Sequence, residues 1–490
     1  MAAKNKTQGP EAIRQRLVDL EPAPAHEANS PPKVEEIYAP LGHEAALDPE
    51  RPLVVGGRGV GKSFWTGALL SESTRSFIAG RYPRLKLDDC DVVLGFAGVD
   101  SKSGGPPSKD ILDDLIGKDG FKPEVIWRAV VLSGLRSYCD DALPKTWRGK
   151  DGLVAWAAKD SERLQTVLRT ADERLAKKGR RLVVVFDALD RLGDNWKDIR
   201  ERSKALMRIT LAFRSYKAIK PKIFMRIDQA EDQSLTSFPD ASKLLGGKVD
   251  LAWDRKDLYG LLYYLLAFNS VSHNTFRAMV REKLGIDFSL ESSALPIELM
   301  TDEQKQESLF TELAGPYMGS DRRRGKTYSW IHNHLADAFG RVSPRSFLMA
   351  LRAAAQRSGN LEYKVIDPKA LQGGLQVASE HRVDQLKEEF GWIQAALEPL
   401  ADLRVPCPDT SIYERWKMAN TIGIIQRSSK AGGFLEPVEF DSGSGDLFIS
   451  LLDAMRRIGV AERRSDGRIN VPDIYRVAAK LLRKGGVRPE

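Results

Sequence analysis

The feature that most constrains the fold is a glycine-rich segment at residues 56–63, which reads GGRGVGKS. It follows the apolar, strand-like run LVV at 53–55 and precedes the helix-like run FWTGALL. Its glycines allow backbone conformations that turn successive N–H groups inward onto phosphate oxygens. The N-terminal end of the following helix also attracts anions. The segment therefore predicts an α/β fold with a phosphate-binding loop.

Each residue of this loop is a candidate contact for a nucleotide. The candidates are Gly56, Gly57, Arg58, Gly59, Val60, Gly61, Lys62 and Ser63. Lys62 is expected to reach the β- and γ-phosphates, and the Ser63 hydroxyl is expected to ligate Mg²⁺. A glycine-rich turn that binds nothing is the alternative, but the strand before the loop and the helix after it argue for the binding function.

Short apolar, β-branched runs alternate with helical stretches over the first half of the chain. Runs of this composition, separated by helices, predict a parallel sheet with helices on both faces. The five runs are LVV at 53–55, DVVLGFAG at 91–98, LVVVF at 182–186, KIFMR at 222–226 and KVDLAW at 248–253.

The remaining sequence divides into further segments, since 490 residues exceed one ordinary core. With 42% hydrophobic and 29% charged residues, the composition is that of a globular protein. The run VAERRSDGRINVP at 460–472 predicts two short strands around a Ser-Asp-Gly turn, which after helices indicates a winged helix. The expected segments are a flexible N-terminal arm at 1–30, a core at 31–253, a helical lid at 254–375 and a winged-helix-like domain at 376–490.

Cysteine usage and hydropathy favour a cytoplasmic protein. The three cysteines, Cys90, Cys139 and Cys407, are widely separated and form no CxxC pair, which argues against a disulfide framework and a structural zinc site. The chain begins without an apolar signal-peptide core, and its longest apolar stretch, at 258–268, is too short to span a bilayer. We therefore expect no membrane association.

An acidic residue is needed beside the phosphate-binding loop, and RLVVVFDALDRL supplies Asp187 after five apolar residues. Asp187 is expected to hold the magnesium shell. Its alternative role is to cap the following helix.

The loop together with D-A-L-D at 187–190 resembles the P-loop ATPases of the STAND group, switch NTPases related to AAA+ proteins. This resemblance implies that Asp190 orients the attacking water, whereas a surface acid paired with Arg191 or Arg200 is the alternative. Ala188 stands where many additional-strand ATPases have a catalytic glutamate, and this departure predicts slow hydrolysis. The resemblance also favours ATP over GTP, because no NKxD-type motif follows KIFMRID.

Two arginines match positions that sense the γ-phosphate in the same group. Arg226 ends the strand-like run KIFMR, and a guanidinium there can stabilise charge on the leaving phosphoryl group. In GRVSPRSFLMALRAAA, Ser343 and Pro344 predict a helix start that places Arg345 at the helix N-terminus. This resembles the lid helix of AAA+ and STAND proteins, with Arg341 as the nearest competitor. A surface ion pair and a plain capped helix are the respective alternatives.

Basic charge concentrates at the C-terminus. Residues 451–490 contain ten Lys or Arg against five acids, a net +5 of the formal +8 of the whole chain. Arg463, Arg464 and Arg468, on the expected wing, are placed to meet DNA phosphates. Winged helices of STAND relatives also serve protein packing, so a protein partner is the alternative.

The resemblance implies an ATP-driven switch that controls oligomerisation or a partner effector. Bacterial antiphage systems contain ATPases built this way, which enters as fold-level analogy. The alternatives are a DNA-binding AAA+-like ATPase of the initiator or transposition-regulator type, and a nucleotide-stabilised scaffold without hydrolysis. The expected ligands are ATP and Mg²⁺, and the expected partners are further copies of the chain, an effector protein and DNA.

Overall fold

The chain forms two compact units, residues 25–252 and residues 1–24 together with 253–490. The structure is a computed structural model. The residues it describes are 9–21, 30–98, 105–139, 142–289, 294–359, 361–442, 445–484 and 486–487. The break between the units at residues 252 and 253 lies next to the expected end of the core.

A five-stranded parallel sheet organises the unit of residues 25–252. Its strands are β1 (Leu53–Gly56), β2 (Cys90–Phe96), β3 (Arg181–Phe186), β4 (Ile219–Arg226) and β5 (Val249–Leu251), in the order β2-β3-β4-β1-β5. Each of the five apolar runs overlaps one of these strands. Consecutive residues of β1, β3 and β4 are nearly all buried, and because neighbouring residues point to opposite faces, both faces of the sheet are covered. The predicted α/β fold is confirmed.

Helices cover this sheet. Helix α1 (Pro10–Val18) belongs to the other unit. The helices of this unit are α2 (Glu44–Leu47), α3 (Lys62–Leu70), α4 (Glu72–Arg81), α5 (Lys109–Gly117), α6 (Pro123–Ser133), α7 (Leu153–Lys159), α8 (Ser161–Lys177), α9 (Trp196–Ala212), α10 (Ile227–Ala230), α11 (Gln233–Thr236) and α12 (Ala241–Leu245).

Aromatic packing holds α6 against the sheet. The Trp127 ring meets Phe96 of β2 and Phe186 of β3 edge-on, at centroid distances of 6.3 and 5.7 Å. Its indole N–H donates to the Arg202 carbonyl of α9 at 3.0 Å, so the buried polar atom has a partner. This packing fixes β3, whose carboxyl end carries part of the candidate site.

The second unit is helical, with one short hairpin. Its remaining helices are α13 (Arg255–Ala267), α14 (His273–Leu284), α15 (Ile297–Thr301), α16 (Glu303–Ala314), α17 (Thr327–Leu335), α18 (Pro344–Arg357), α19 (Ala370–Glu389), α20 (Trp392–Leu397), α21 (Asp409–Met418), α22 (Thr421–Lys430), α23 (Glu439–Ser442), α24 (Leu447–Arg457) and α25 (Asp473–Arg476). In the part of the chain that the structure describes, no helix is long and apolar enough to cross a membrane.

The N-terminal segment, expected to be a flexible arm over residues 1–30, contains the packed helix α1. Ala12, Ile13 and Leu17 are fully buried, and α1 packs against α14 and α18. The physical reason is the apolar face of EAIRQRLVDL, which buries enough area to hold the helix in place. Residues 1–8 and 22–29 of the expected arm lie outside the described residues.

The C-terminal hairpin forms around the Ser-Asp-Gly turn. Its strands are β6 (Glu462–Arg463) and β7 (Ile469–Asn470), and Gly467 adopts the positive φ of 82° that such a turn requires. Cys407 pairs with Ile469 as an isolated antiparallel bridge, which adds a third extended segment beside the hairpin. Helices α21, α22, α23 and α24 lie between that segment and the hairpin in sequence. This order fits a winged helix, and the assignment stays a prediction.

Candidate nucleotide site

The glycine-rich loop connects β1 directly to α3, as its sequence predicts. Gly59 and Gly61 have positive φ angles of 76° and 102°, which a residue with a Cβ adopts only with strain. Gly56 is needed for a different reason, because a Cβ there would lie 2.8 Å from Val60 Cγ2 and 3.1 Å from the Leu251 carbonyl oxygen. The loop therefore requires glycine for two reasons, positive φ angles at Gly59 and Gly61 and close packing at Gly56.

The two polar side chains at the start of α3 are both engaged. Lys62 Nζ donates to the carbonyl oxygens of Gly56 at 3.0 Å and Gly57 at 2.7 Å, so its ammonium lies over the loop. Ser63 Oγ donates to Asp187 Oδ2 at 2.7 Å. The loop and the acid at the end of β3 are therefore joined, although they are 124 residues apart in sequence.

Asp187 is a buried carboxylate, 1% exposed. Its Oδ1 accepts the Ala188 N–H at 2.8 Å, and its own N–H donates to the Phe96 carbonyl oxygen of β2 at 2.9 Å. Burial raises the pKa of Asp187, and the opposing influences are the Ser63 hydrogen bond and the nearby charge of Lys62. A buried carboxylate beside a hydroxyl is an oxygen donor set that suits Mg²⁺.

The turn after Asp187 is strained. Ala188 adopts φ 55° and ψ 44°, the left-handed region that alanine occupies at a cost of roughly 1–2 kcal/mol. Strain of this kind gathers at functional sites, where the surrounding structure enforces it. The conformation directs the chain into the short 3₁₀ turn Leu189–Arg191, which carries Asp190.

Arg226 and Asp190 meet beside the loop. Arg226 is 9% exposed, and in the parallel register of β1 and β4 it lies opposite Gly56, the first residue of the loop. Its Nη1 is 3.6 Å from Asp190 Oδ2. Its Nε and Nη2 each donate to Asp228 at 2.9 Å, one to each carboxylate oxygen. Asp228 is a candidate site residue to which the sequence motifs assign no role.

The alternative pairing of Asp190 with Arg191 or Arg200 is not what the geometry favours. Arg191 Nη1 donates to the Gly98 carbonyl oxygen at 3.5 Å, and Arg200 Nε donates to Asp232 at 2.9 Å. Asp190 instead contacts Arg226.

A buried histidine supports α3 from the segment that precedes β1. Trp65 Nε1 donates to His43 Nδ1 at 3.2 Å, and because an indole N–H only donates, Nδ1 accepts. The proton then resides on Nε2, which donates to the Ala252 carbonyl oxygen at 3.0 Å. Three distant segments meet here. No local sequence signal predicts this contact, because each residue alone reads as ordinary core.

Arg345 belongs to the other compact unit. The helix start expected there is present, since Ser343 Oγ accepts the Ser346 N–H at 3.1 Å and Pro344 occupies the first position of α18. Arg345 follows as the second residue of that helix, and Arg341 lies before its cap. The other expected site residues, Lys62, Ser63, Asp187, Asp190 and Arg226, all lie within residues 25–252.

A groove of about 890 Å³ lies elsewhere on the unit of residues 25–252. The end of α9 and the segment 238–246 line it, and both precede the amino ends of strands. The glycine-rich loop follows the carboxyl end of β1. Ligands of parallel α/β sheets bind at carboxyl ends, so the loop marks the candidate site and the groove does not.

Comparison with known proteins gives no family for the chain. No protein-family model matches it, and no curated protein matches it. Among solved structures, it is similar to the ORC2 protein of Aeropyrum pernix in its ADPNP-ADP complexes. The two chains are 11% identical, and the match covers 94% of this chain and 93% of that chain with a TM-score of 0.30. Similarity at that level does not assign a function, so the site rests on its own geometry.

Proposed function

We propose that this chain binds ATP with Mg²⁺ at residues 56–63, hydrolyses it slowly and uses the bound nucleotide as a conformational switch. The observation that carries the proposal is the 2.7 Å hydrogen bond from Ser63 to Asp187. It brings together a hydroxyl and a carboxylate of the types that hold nucleotide-bound magnesium, directly after a loop shaped for phosphates.

Each residue has a stated role in this proposal. Backbone N–H groups of the loop and Lys62 bind the phosphates. Ser63 and Asp187 would hold Mg²⁺, which would neutralise charge on the phosphate oxygens. Asp190 orients the attacking water and Arg226 stabilises the charge that develops on the transferred group. Arg345, the second residue of α18, stays a predicted sensor of the γ-phosphate.

Slow turnover follows from the residue beside Asp187. A strong general base within reach of the attacking water contributes a factor of roughly 10² to 10⁴ to such reactions. Ala188 supplies no base, and the Asp190 carboxylate is already engaged by the Arg226 guanidinium, with Oδ2 3.6 Å from Nη1. A chain that binds ATP and holds it for a long time suits a switch better than a motor.

The experiment that tests this proposal measures ATP binding and turnover for the wild type, Lys62→Ala and Asp190→Asn. We expect Lys62→Ala to abolish ATP binding, and Asp190→Asn to keep binding while turnover falls. Lys118→Ala is the matched control, because Lys118 is an exposed lysine that pairs with Asp114 at 2.7 Å and lies outside the loop. Equal ATP affinity for wild type and Lys62→Ala would eliminate the proposed site. Binding without any turnover would instead identify a nucleotide-stabilised scaffold.

The switch is tested separately, by native mass and small-angle scattering with ATP and with ADP. We expect the ATP-bound protein to differ in assembly or shape, because a ligand shifts a conformational equilibrium only by its differential affinity for the two states. Identical mass and shape in both nucleotides would contradict the switch. A change in mass would indicate assembly of further copies of the chain, and an effector protein would then bind the ATP-dependent form.

A second candidate function, a DNA-associated ATPase, is favoured by the exposed arginines of the C-terminal hairpin. Arg463, Arg464 and Arg468 all lie at or beside the turn between β6 and β7. Two of them already have acidic partners, since Arg463 pairs with Asp409 at 3.0 Å and Arg468 with Asp466 at 2.7 Å. DNA phosphates would have to compete with these carboxylates. Stimulation of ATP turnover by duplex DNA distinguishes this function from the first.

A further inference from the structure

Arg226 is held by two carboxylates at the edge of the sheet that carries the phosphate-binding loop. Asp228 accepts a two-pronged hydrogen bond from Nε and Nη2, both at 2.9 Å. Asp190 lies on the other side, 3.6 Å from Nη1. Bidentate arginine–carboxylate pairs of this kind fix the plane of the guanidinium as well as its position.

Because Nε and Nη2 of Arg226 are bonded to Asp228, Nη1 is the atom that lies toward Asp190. Because Asp228 engages Nε and Nη2, it does not compete with a phosphate for Nη1. Asp228 is also fixed relative to Arg226 by the backbone, since Arg226 caps the short helix α10 and Asp228 is the second residue of that helix. The two residues therefore form a local unit whose orientation the end of β4 determines.

Burial makes this arrangement matter. A guanidinium that is 9% exposed has little water to solvate it, and a single carboxylate at 3.6 Å does not satisfy its N–H donors in the plane of the fork. Without Asp228 the guanidinium would turn toward whichever acceptor lies nearest. The carboxylates within its reach include Asp190, the residue proposed to orient water.

We propose that Asp228 is a positioning residue that holds Arg226 in a fixed orientation, with its Nη1 edge presented to Asp190 and to the γ-phosphate. This inference rests on the proposed ATPase function. Asp228 acts only through Arg226 and does not touch the nucleotide.

A double-mutant cycle tests the inference. The variants are Arg226→Ala, Asp228→Ala and the double variant, each measured for ATP affinity, ADP affinity and turnover. We expect Arg226→Ala and Asp228→Ala each to lower the preference for ATP over ADP by roughly tenfold, the scale of one charge-assisted hydrogen bond. The double variant is expected to match Arg226→Ala, because Asp228 has no role once Arg226 is absent. ADP affinity and thermal stability report whether each variant folds.

Two further variants separate positioning from general destabilisation. Asp228→Asn keeps the shape of the side chain and covers the case in which Asp228→Ala does not fold, and Asp228→Glu is expected to recover part of the ATP preference. Asp232→Asn is the matched control. Asp232 lies shortly after α10, where it accepts a 2.9 Å hydrogen bond from Arg200 of α9 and caps α11. Asparagine keeps the helix-capping role.

The inference is overturned by additive losses in the double variant, by an unchanged ATP preference in Asp228→Ala, or by a gain in turnover, which would make Asp228 an inhibitory contact. The proposed function fails independently. If Lys62→Ala leaves nucleotide affinity unchanged, the ATP site itself is wrong. If Lys62→Ala abolishes binding while the cycle is additive, the site stands and only the role of Asp228 falls. The affinity ratio remains measurable even when turnover is undetectable.

Discussion

Ser63 Oγ lies 2.7 Å from Asp187 Oδ2 and donates a hydrogen bond to it. This bond connects the first turn of α3 with the carboxyl end of β3, which is separated from β1 in the sheet by β4. The hydroxyl also offsets part of the cost of burying the carboxylate. Mg²⁺, if held by Ser63 and Asp187, would take over that role.

Asp187→Asn is expected to weaken Mg²⁺-dependent ATP binding by roughly 10- to 100-fold, the usual effect of altering a group that supports a metal. The same variant is expected to unfold at a higher temperature in the absence of nucleotide and metal. Burial raises the pKa of Asp187. At pH values above the ordinary pKa of an aspartate, the folded protein therefore binds more protons than the unfolded chain. The free energy of unfolding falls as pH rises from that ordinary pKa to the raised pKa of the folded protein. Asparagine removes this cost.

Melting curves with and without Mg²⁺-ATP check both effects of Asp187→Asn. Asp198→Asn is the control, because Asp198 is a half-buried acid in the first turn of α9 that accepts a hydrogen bond from the Asn195 side chain and is not one of the candidate site residues. The assignment of Asp187 to the metal site would be contradicted if the Asp187→Asn protein were less stable without ligand. It would also be contradicted if ATP binding by that variant kept its dependence on Mg²⁺.

Because Lys222 is buried, we expect the free energy of unfolding to depend on pH in an unusual way. It is fully buried, and its Nζ donates to the carbonyl oxygens of Asp48 at 2.9 Å and Arg51 at 2.8 Å. Burial lowers the pKa of Lys222 from 10.5 to about 7. Between pH 7 and 10.5 the folded protein therefore binds fewer protons than the unfolded chain, so the free energy of unfolding rises with pH, by up to about 1.4 kcal/mol per pH unit.

Urea unfolding of the wild type and Lys222→Met between pH 6.5 and 9.5 measures this slope. We expect the methionine variant to lose the rise, because it carries no proton to release. Lys220→Met serves as the comparison, since Lys220 lies on the same strand but pairs with Glu50 at 2.8 Å. Equal slopes for wild type and Lys222→Met would show that Lys222 stays charged in the folded protein.

Arg14 is expected to fasten α1 to the helical unit. It is 7% exposed and donates to three carbonyl oxygens, those of Leu361 at 2.7 Å, Lys364 at 2.6 Å and Val365 at 3.0 Å. Arg14→Ala leaves these acceptors without their charged donor and should cost about 2–3 kcal/mol. Limited proteolysis should then release the N-terminal segment faster. Gln15→Ala, which loses one exposed bond to Asp19, should leave the cleavage rate unchanged.

The hairpin arginines predict a salt signature if the C-terminal region contacts DNA. Each phosphate contact contributes roughly 0.9 to the slope of log affinity against log salt concentration. Replacing Arg463, Arg464 and Arg468 by alanine is therefore expected to reduce that slope by about 2 to 3. The residues at 322–324, which form an exposed arginine turn, provide an equally charged control triple. A slope that the hairpin variant leaves unchanged would assign this surface to protein packing.

The sequence was informative where chemistry is local. The GGRGVGKS loop requires its strand, its glycines and its helix within a dozen residues, and all of them are present around β1 and α3. The five apolar runs each became a parallel strand because β-branched residues that are buried on both faces have few other arrangements. Ser343 and Pro344 likewise predict the start of α18, since capping is a matter of adjacent residues.

Contacts between distant segments were not readable from the sequence. The sequence predicts that EAIRQRLVDL is part of a flexible arm, because nothing in it reveals that the Val365 carbonyl oxygen accepts a hydrogen bond from Arg14. The burial of Lys222 in β4 could not be predicted for the same reason, because the carbonyl oxygens that accept its hydrogen bonds belong to Asp48 and Arg51, which precede β1. Asp228 follows Arg226 by two residues, yet only the geometry of α10 shows that it grips the guanidinium.

The sequence alone predicts a phosphate-binding loop between a strand and a helix of an α/β fold, because the residues that this arrangement requires are consecutive in the chain. Which side chains share the carboxyl edge of the sheet follows from the tertiary structure. Strand order placed β4 between β1 and β3, and this brought Arg226 beside Gly56 and against Asp190. Strand order depends on how the whole apolar surface is buried, which no short motif records.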